Sequence, residues 1–250
     1  MKQLIFSLSL LSFLLIGGCQ ADGFFPLSVT PRVFLVGLPA FLSSQTAIAI
    51  LNCANIIPGG SLQTITYSDP YPDPAEFNLL IWQGNSSLYP ALNTDGLTSF
   101  VIGTEEIVVI VSPENNLTSL SLTELRSIFL GKIQDWSAIP QSGLSGPIEL
   151  GVYYDTHPLR LIFDDVFLGE MTVATSSLIM PSQAEVNSFI EDNMNSLSYI
   201  GKSQARANTR ILPISGFSET ANISLLVIFQ ENEKLSISPM LDCLRKNNIH

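Results

Sequence analysis

Short apolar runs alternate along the chain with stretches whose apolar positions recur at helical spacing. Residues 33–36 (VFLV) read as a short buried strand, and GLPA (37–40) as the loop after it. The run 41–57 then sets Ala47, Ile48, Ile50, Leu51 and Ala54 at helical spacing, and Pro58, Gly59 and Gly60 stop that helix. A strand follows at 62–67, then a proline-rich loop at 68–74, a buried strand at 77–82, and a long strand region at 100–111 interrupted by Gly103. Further on, strands are predicted at 148–154, 197–200, 210–214 and 223–229. Helices are predicted at 157–168, from Ser182 to about Met194, and from Ser238 and Pro239 to about Lys246. Strands thus alternate with helices almost throughout. That order predicts an α/β fold of mainly parallel sheets flanked by helices, with the ligand crevice beyond the carboxyl ends of the strands.

The best specified element lies in residues 120–136. Ser121 and Glu124 have capping-box spacing, and Leu120 and Leu125 take the positions of a hydrophobic staple around them. Leu122, Leu125, Ile128 and Phe129 form the apolar face, and Gly131 is the expected stop.

Composition narrows the function classes. A chain of 250 residues, 46% hydrophobic, has ample material for one large domain or two lobes. Its 11 Lys and Arg against 22 Asp and Glu give a net charge of −11, which argues against nucleic acid as a partner. Between Arg32 and Arg126 there is neither Lys nor Arg. An anion held by that region would be held by backbone N–H groups, helix N-termini and hydroxyls.

Lys2, the apolar stretch 4–16 and LIGGC (15–19) read as a signal peptide over residues 1–18, too short to span a membrane. Two glycines directly before Cys19 resemble a bacterial lipobox. Cys19 is then the lipidated first residue of the mature protein, and 19–31 a tether. The alternative is an ordinary secretory signal with an incidental cysteine. The expected location is extracytoplasmic, lipid-anchored to a bacterial membrane. In an exported protein Cys53 and Cys243 can pair. The apolar helix pattern around Cys53 slightly favours two separate buried thiols.

Three motifs carry a family resemblance: EIVVIVSP (106–113), LSLTELRSIFLG with KIQDW (120–136), and LSYIG followed by RILP (197–201 and 210–213). Together they resemble the phosphate-type solute-binding proteins of ABC importers, in the type II periplasmic-binding-protein superfamily. The resemblance covers roughly residues 100–215. It implies a two-lobed clamp, with 32–103 and 208–250 in one lobe and 104–207 in the other. It further implies no enzymatic activity and no cofactor. The implied partners are a small-molecule or oxyanion ligand between the lobes, a membrane ABC permease, and the membrane itself through the N-terminal lipid. The protein is expected to be a monomer.

The ligand positions implied by the resemblance are Gly37 and Ala40 after the first strand, Gln83 and Ser86 after the third, Tyr154, Asp155 and Thr156 before a helix, and Tyr199. Several depart from the family pattern. Of the first small-residue loop only the glycine stands. Where the family has an Arg and then Ser-Gly-Thr at a helix start, this chain has Tyr153 and then His157, Pro158 and Leu159. Thr156 is the expected substitute N-cap. Hydroxyls and cation are both lost, and Asp155 would repel a phosphate, so the expected ligand is not simple phosphate. A binding module that has lost transport is the alternative. An extracytoplasmic hydrolase built on His157 and Asp155 is weighed and set aside for want of a nucleophile and an orienting acid. His157 also lacks Cys or His partners at metal-ligand spacing.

Overall fold

The computed structural model describes residues 32–42, 44–57, 60–68, 71–85, 96–217 and 220–247. The expected signal peptide, the tether and Cys19 lie outside the described residues.

The first strand, β1 (Arg32–Pro39), pairs in parallel with β2 (Gly60–Tyr67) and with β3 (Leu79–Gln83). Helix α1 (Ser44–Ala54) makes the crossover between β1 and β2. The long strand β4 (Leu97–Val111) comes next, then the bridge strand β5 (Leu120–Ser121) and helix α2 (Leu122–Phe129). Strand β6 (Glu149–Tyr153) leads into α3 (Pro158–Phe163), which continues as a π-helical turn, Asp164–Leu168. After β7 (Leu178–Met180) come α4 (Gln183–Asp192), β8 (Ser196–Gly201) and a 3-10 turn, Lys202–Gln204. The chain ends with β9 (Arg210–Leu212), β10 (Ile214–Ser215), β11 (Asn222–Gln230) and α5 (Lys234–Lys246).

The main sheet runs β2-β1-β3-β11-β4-β8-β6-β7, with β9 also on β4. Its outer strands are parallel, as the sequence order predicts. The two central strands β4 and β11 run antiparallel to their neighbours. Each serves both lobes. Ile102 of β4 packs in one hydrophobic core with Phe34, Val36, Ile50, Leu79 and Met240, whereas Ile107–Val111 pack in another with Phe129, Trp136, Phe163 and Tyr199. Likewise Val227 and Phe229 of β11 belong to the first core and Ile223 to the second. The β4–β11 register shifts between Leu225 and Leu226, opposite the passage from Gly103 to Val101. The extra residue, Ile102, makes a bulge, and a bulge bends a strand pair locally. The bend falls where the chain passes from one core to the other.

Residues 208–221 were expected with the first core. Instead β9 pairs with Val109, Ile110 and Val111 of β4, and Leu212 and Ala221 are buried in the second core. Pro213 ends β9, and β10 turns aside to pair with β5. The return crossing therefore lies within β11.

Two other expectations change. Cys53 and Cys243 are disulfide-bonded, with Cα atoms 5.5 Å apart. The apolar pattern around Cys53 reflects its burial, and burial does not prevent pairing when α5 packs on α1. The last helix starts at Lys234, so Pro239 sits inside it. Proline there removes one backbone bond, and the burial of Ile237, Met240, Leu241 and Leu244 on one face outweighs that loss.

Candidate functional site

A cleft opens between the lobes beside the β4–β11 crossing. Its first-lobe wall comes from the loop after β1, the first turn of α1 and the end of β3. The second lobe contributes two walls. One is α3 and the turn before it. The other is the first turn of α4 with residues 202–206.

The α3 wall is filled by the protein's own side chains. The Phe41 ring lies 5.0 Å from the imidazole of His157, centroid to centroid. Tyr153 stacks on that imidazole at 4.2 Å, and Tyr154 meets it edge-on at 5.2 Å. His157 Nδ1 accepts the Leu159 backbone N–H at 3.2 Å, so His157 is the N-cap of α3 in place of the expected Thr156. Because Nδ1 is an acceptor, the proton of the neutral ring sits on Nε2, which has no partner. Burial pushes the His157 pKa down to about 3. Nearby, Trp82, Gln83, Gly84 and Tyr71 face Pro158, Leu161 and Ile162 across a gap of about 10 Å³. Gly84 is needed there: its φ is +154°, and the Trp82 indole occupies the place a Cβ would take.

The α4 wall is polar and hydrogen-bonded within itself. Gln183 Oε1 accepts from Gly201 N at 3.0 Å. Asn187 donates to the carbonyls of Gln183 and Gln204, at 3.0 and 2.9 Å, and accepts from Arg206 N at 3.1 Å. The Glu105 carboxylate takes the N–H of Ser203 at 2.7 Å and its hydroxyl at 2.5 Å. Both cations of this wall are paired. Lys202 donates to Glu106 at 2.6 Å, a bond that raises its pKa, and Arg206 lies 3.3 Å from Glu191. Arg160, on α3, is turned inward to Asp164 at 2.5 Å and to the Tyr153 carbonyl at 3.0 Å. Burial raises the Asp164 pKa, and Arg160 opposes that shift.

The predicted residues divide accordingly. Gln83 lines the cleft against both walls. Tyr154 stands half-buried beside His157, whereas Asp155 and Thr156 are exposed on the turn. Gly37 is buried in β1, where a Cβ would come within 2.8 Å of Leu80 and Phe77, so its role is close strand packing. Ala40 is exposed and bonds Tyr67 through its backbone. Tyr199 lies in the second core, stacked on Phe163 at 3.8 Å, and its backbone position in a fully buried strand keeps it from the cleft. Ser86 lies outside the described residues. Sequence reasoning did not single out Phe41, Glu105, Gln183, Ser203 or Gln204. Only Gln183 carried a local signal, since it follows the N-cap Ser182.

One nitrogen of His157 caps a helix, the other is unpartnered, and Asp155 is exposed on the turn before α3. Among the described residues no group of three His, Cys, Asp or Glu is placed to hold a metal ion. Among them, too, no helix is long and apolar enough to cross a membrane.

Comparison with solved structures agrees with the two-lobed architecture. A putative phosphate ABC transporter substrate-binding protein with bound phosphate from Clostridium perfringens matches with a TM-score of 0.67 at 15% identity, over 85% of this chain and 93% of that one. An ABC-type phosphate transport receptor from Vibrio cholerae matches with a TM-score of 0.65 at 11% identity, over 84% and 93%. The reduced OxyR regulatory domain from Pseudomonas aeruginosa matches with a TM-score of 0.56 at 10% identity, over 86% and 98%. At such identities the likeness is one of fold. The family is fixed by a sequence match: residues 83–241 fit the PBP superfamily domain, and with well over half its length in that match, this chain belongs to the PBP superfamily.

Proposed function

We propose that this protein is the extracytoplasmic solute-binding component of an ABC importer. It captures a small polar solute between its two lobes and presents it to a membrane permease. The observation that carries this reading is the pair of strands, β4 and β11, that cross from one core to the other beside a polar cleft. Strand crossings of this kind are where hinge closure around a ligand takes place. The lobes of this reading are residues 32–103 with the chain after the return crossing, and residues 104 up to that crossing. A lipid on Cys19 holds the monomer near the permease. The protein binds and releases its solute without chemical change. The phosphate transport receptor and the substrate-binding protein among the structural neighbours support the importer role, and the same fold also occurs in a regulatory domain.

Thermal unfolding with a panel of oxyanions, sugars and amino acids tests this reading. A ligand at 100 times its Kd stabilises by about 2.7 kcal/mol, which for a domain of this size raises Tm by roughly 5–10 °C. A panel without any such shift at millimolar concentration overturns the importer reading. It would favour a binding module with no transport role, serving as a sensor or surface interaction protein. The specific observation behind that second reading is the filling of the α3 wall by Phe41, His157 and Trp82.

A further inference from the structure

The cleft holds two cavities that share Gln183, Ser203 and Gln204. The inner one, about 30 Å³, is also lined by Phe41, Thr46, Gln83 and Glu105. The outer one, about 370 Å³, reaches Gln45, Asn187 and Arg206. Gln45 and Gln83 belong to the first lobe, and Gln183, Ser203 and Gln204 to the second. A solute in this space would therefore be held from both sides, as lobe closure requires. The volume of the outer cavity falls within the range of small-molecule sites.

Carboxamides are the commonest polar side chains of the lining. Asn187 spends both its N–H groups in bracing the wall, and Arg206 is paired with Glu191. Gln183 has its oxygen engaged by Gly201, which leaves its NH2 group to donate. Gln45 and Gln83 each offer a donor and an acceptor. The one carboxylate, Glu105, is held by Ser203 and opposes anions by its charge. An oxyanion thus meets no unpaired cation among the described residues lining the cleft, and it meets a fixed negative charge. A carboxamide suits a partner that carries donors and acceptors together, such as a hydroxyl or another carboxamide. Phe41 adds an apolar face to the inner cavity.

We infer that the ligand site of this protein lies on the α4 side of the cleft, between Gln45 and Gln83 of one lobe and Gln183, Ser203 and Gln204 of the other, and takes a neutral solute rich in hydroxyl or carboxamide groups. The inference rests on the solute-binding reading and moves its site away from the α3 turn, where His157 and Trp82 stand.

Isothermal titration calorimetry on the full exported chain tests it. The probes are D-glucose, myo-inositol, glycerol and acetamide on the neutral side, and inorganic phosphate and sulfate on the anionic side. At least one neutral probe is expected to bind below millimolar Kd. Gln83→Ala and Gln45→Ala are each expected to weaken that binding at least tenfold. Gln45 is exposed, so its variant keeps the fold even if Gln83→Ala does not, and thermal unfolding without probe checks both. Binding of phosphate or sulfate to the wild type overturns the inference and leaves the solute-binding reading standing. A neutral probe that binds equally well to both variants overturns the placement of the site. No binding by any probe overturns the inference together with the reading it rests on.

Discussion

The imidazole of His157 stacks on Tyr153, lies tilted against Phe41, and caps α3 through Nδ1. Burial penalises the charged imidazolium, which is why its pKa falls to about 3 from an ordinary 6.5. The unfolded chain therefore binds the proton first as pH falls. The stability due to neutral His157 is complete above about pH 6.5 and is lost as the pH drops toward 3. Between pH 8 and pH 5 the loss should be about 2 kcal/mol, read by urea unfolding at both values. His157→Asn keeps a capping acceptor and does not titrate, so it should flatten that dependence. A pH profile unchanged by this variant would show that His157 is not the responsible group. Gly84 gives a second test at this scale. A Cβ there meets the Trp82 indole, so Gly84→Ala should cost roughly 1–3 kcal/mol by forcing the ring aside. In sequence Gly84 lies between two expected ligand positions, Gln83 and Ser86. Its actual constraint is the indole folded over it, which depends on a tertiary contact that no local pattern displays.

At the scale of elements, legibility follows how local the determinants are. Helix α2 was readable because everything that fixes it lies within ten residues or so. Both reciprocal bonds of its capping box are present, Ser121 N to Glu124 at 2.8 Å and Glu124 N to Ser121 Oγ at 3.1 Å. Ser121→Ala should therefore cost about 1 kcal/mol in chemical denaturation, and Ser121→Asp much less, since aspartate also caps. Equal losses in both variants would mean that the cap contributes nothing. The ends of α3 and α5 were harder. His157 is an uncommon N-cap, chosen here because Phe41 and Tyr153 hold its ring in place, so Thr156 was the natural but mistaken expectation from local chemistry. Pro239 looked like a helix start because proline favours the first turn. The buried face of α5 extends a turn earlier than that rule suggests, through Ile237. The cleft residues were harder still. Gln183, Ser203 and Glu105 are ordinary surface types in sequence, and they form a wall only because β8 brings the 202–206 turn back against α4 and β4.

For the molecule as a whole, strand order announced the α/β architecture, but the second crossing point was not readable. The RILP strand is apolar enough for either core, and its pairing with β4 rather than with the first sheet decides the matter. The disulfide is likewise a long-range fact. It joins α1 to α5 across a sequence separation of 190 residues. Both helices pack in the first core, and the second lobe lies between them in sequence. Without the bond, the two ends of the first lobe are still joined by burial, by the β3–β11 and β4–β11 ladders, and by the Arg32–Glu233 ion pair. Closing so long a loop constrains the unfolded chain strongly, and native disulfides contribute roughly 2–5 kcal/mol. The double variant Cys53→Ser, Cys243→Ser should lose stability in that range. Hydrogen exchange should show the loss concentrated in α1, α5, β1 and β3, with α2, β6 and β8 still protected by the second core. If the second lobe instead loses protection to the same degree, the two cores unfold as one unit, and the strands that cross between them couple the lobes too tightly for β4 and β11 to act as a hinge.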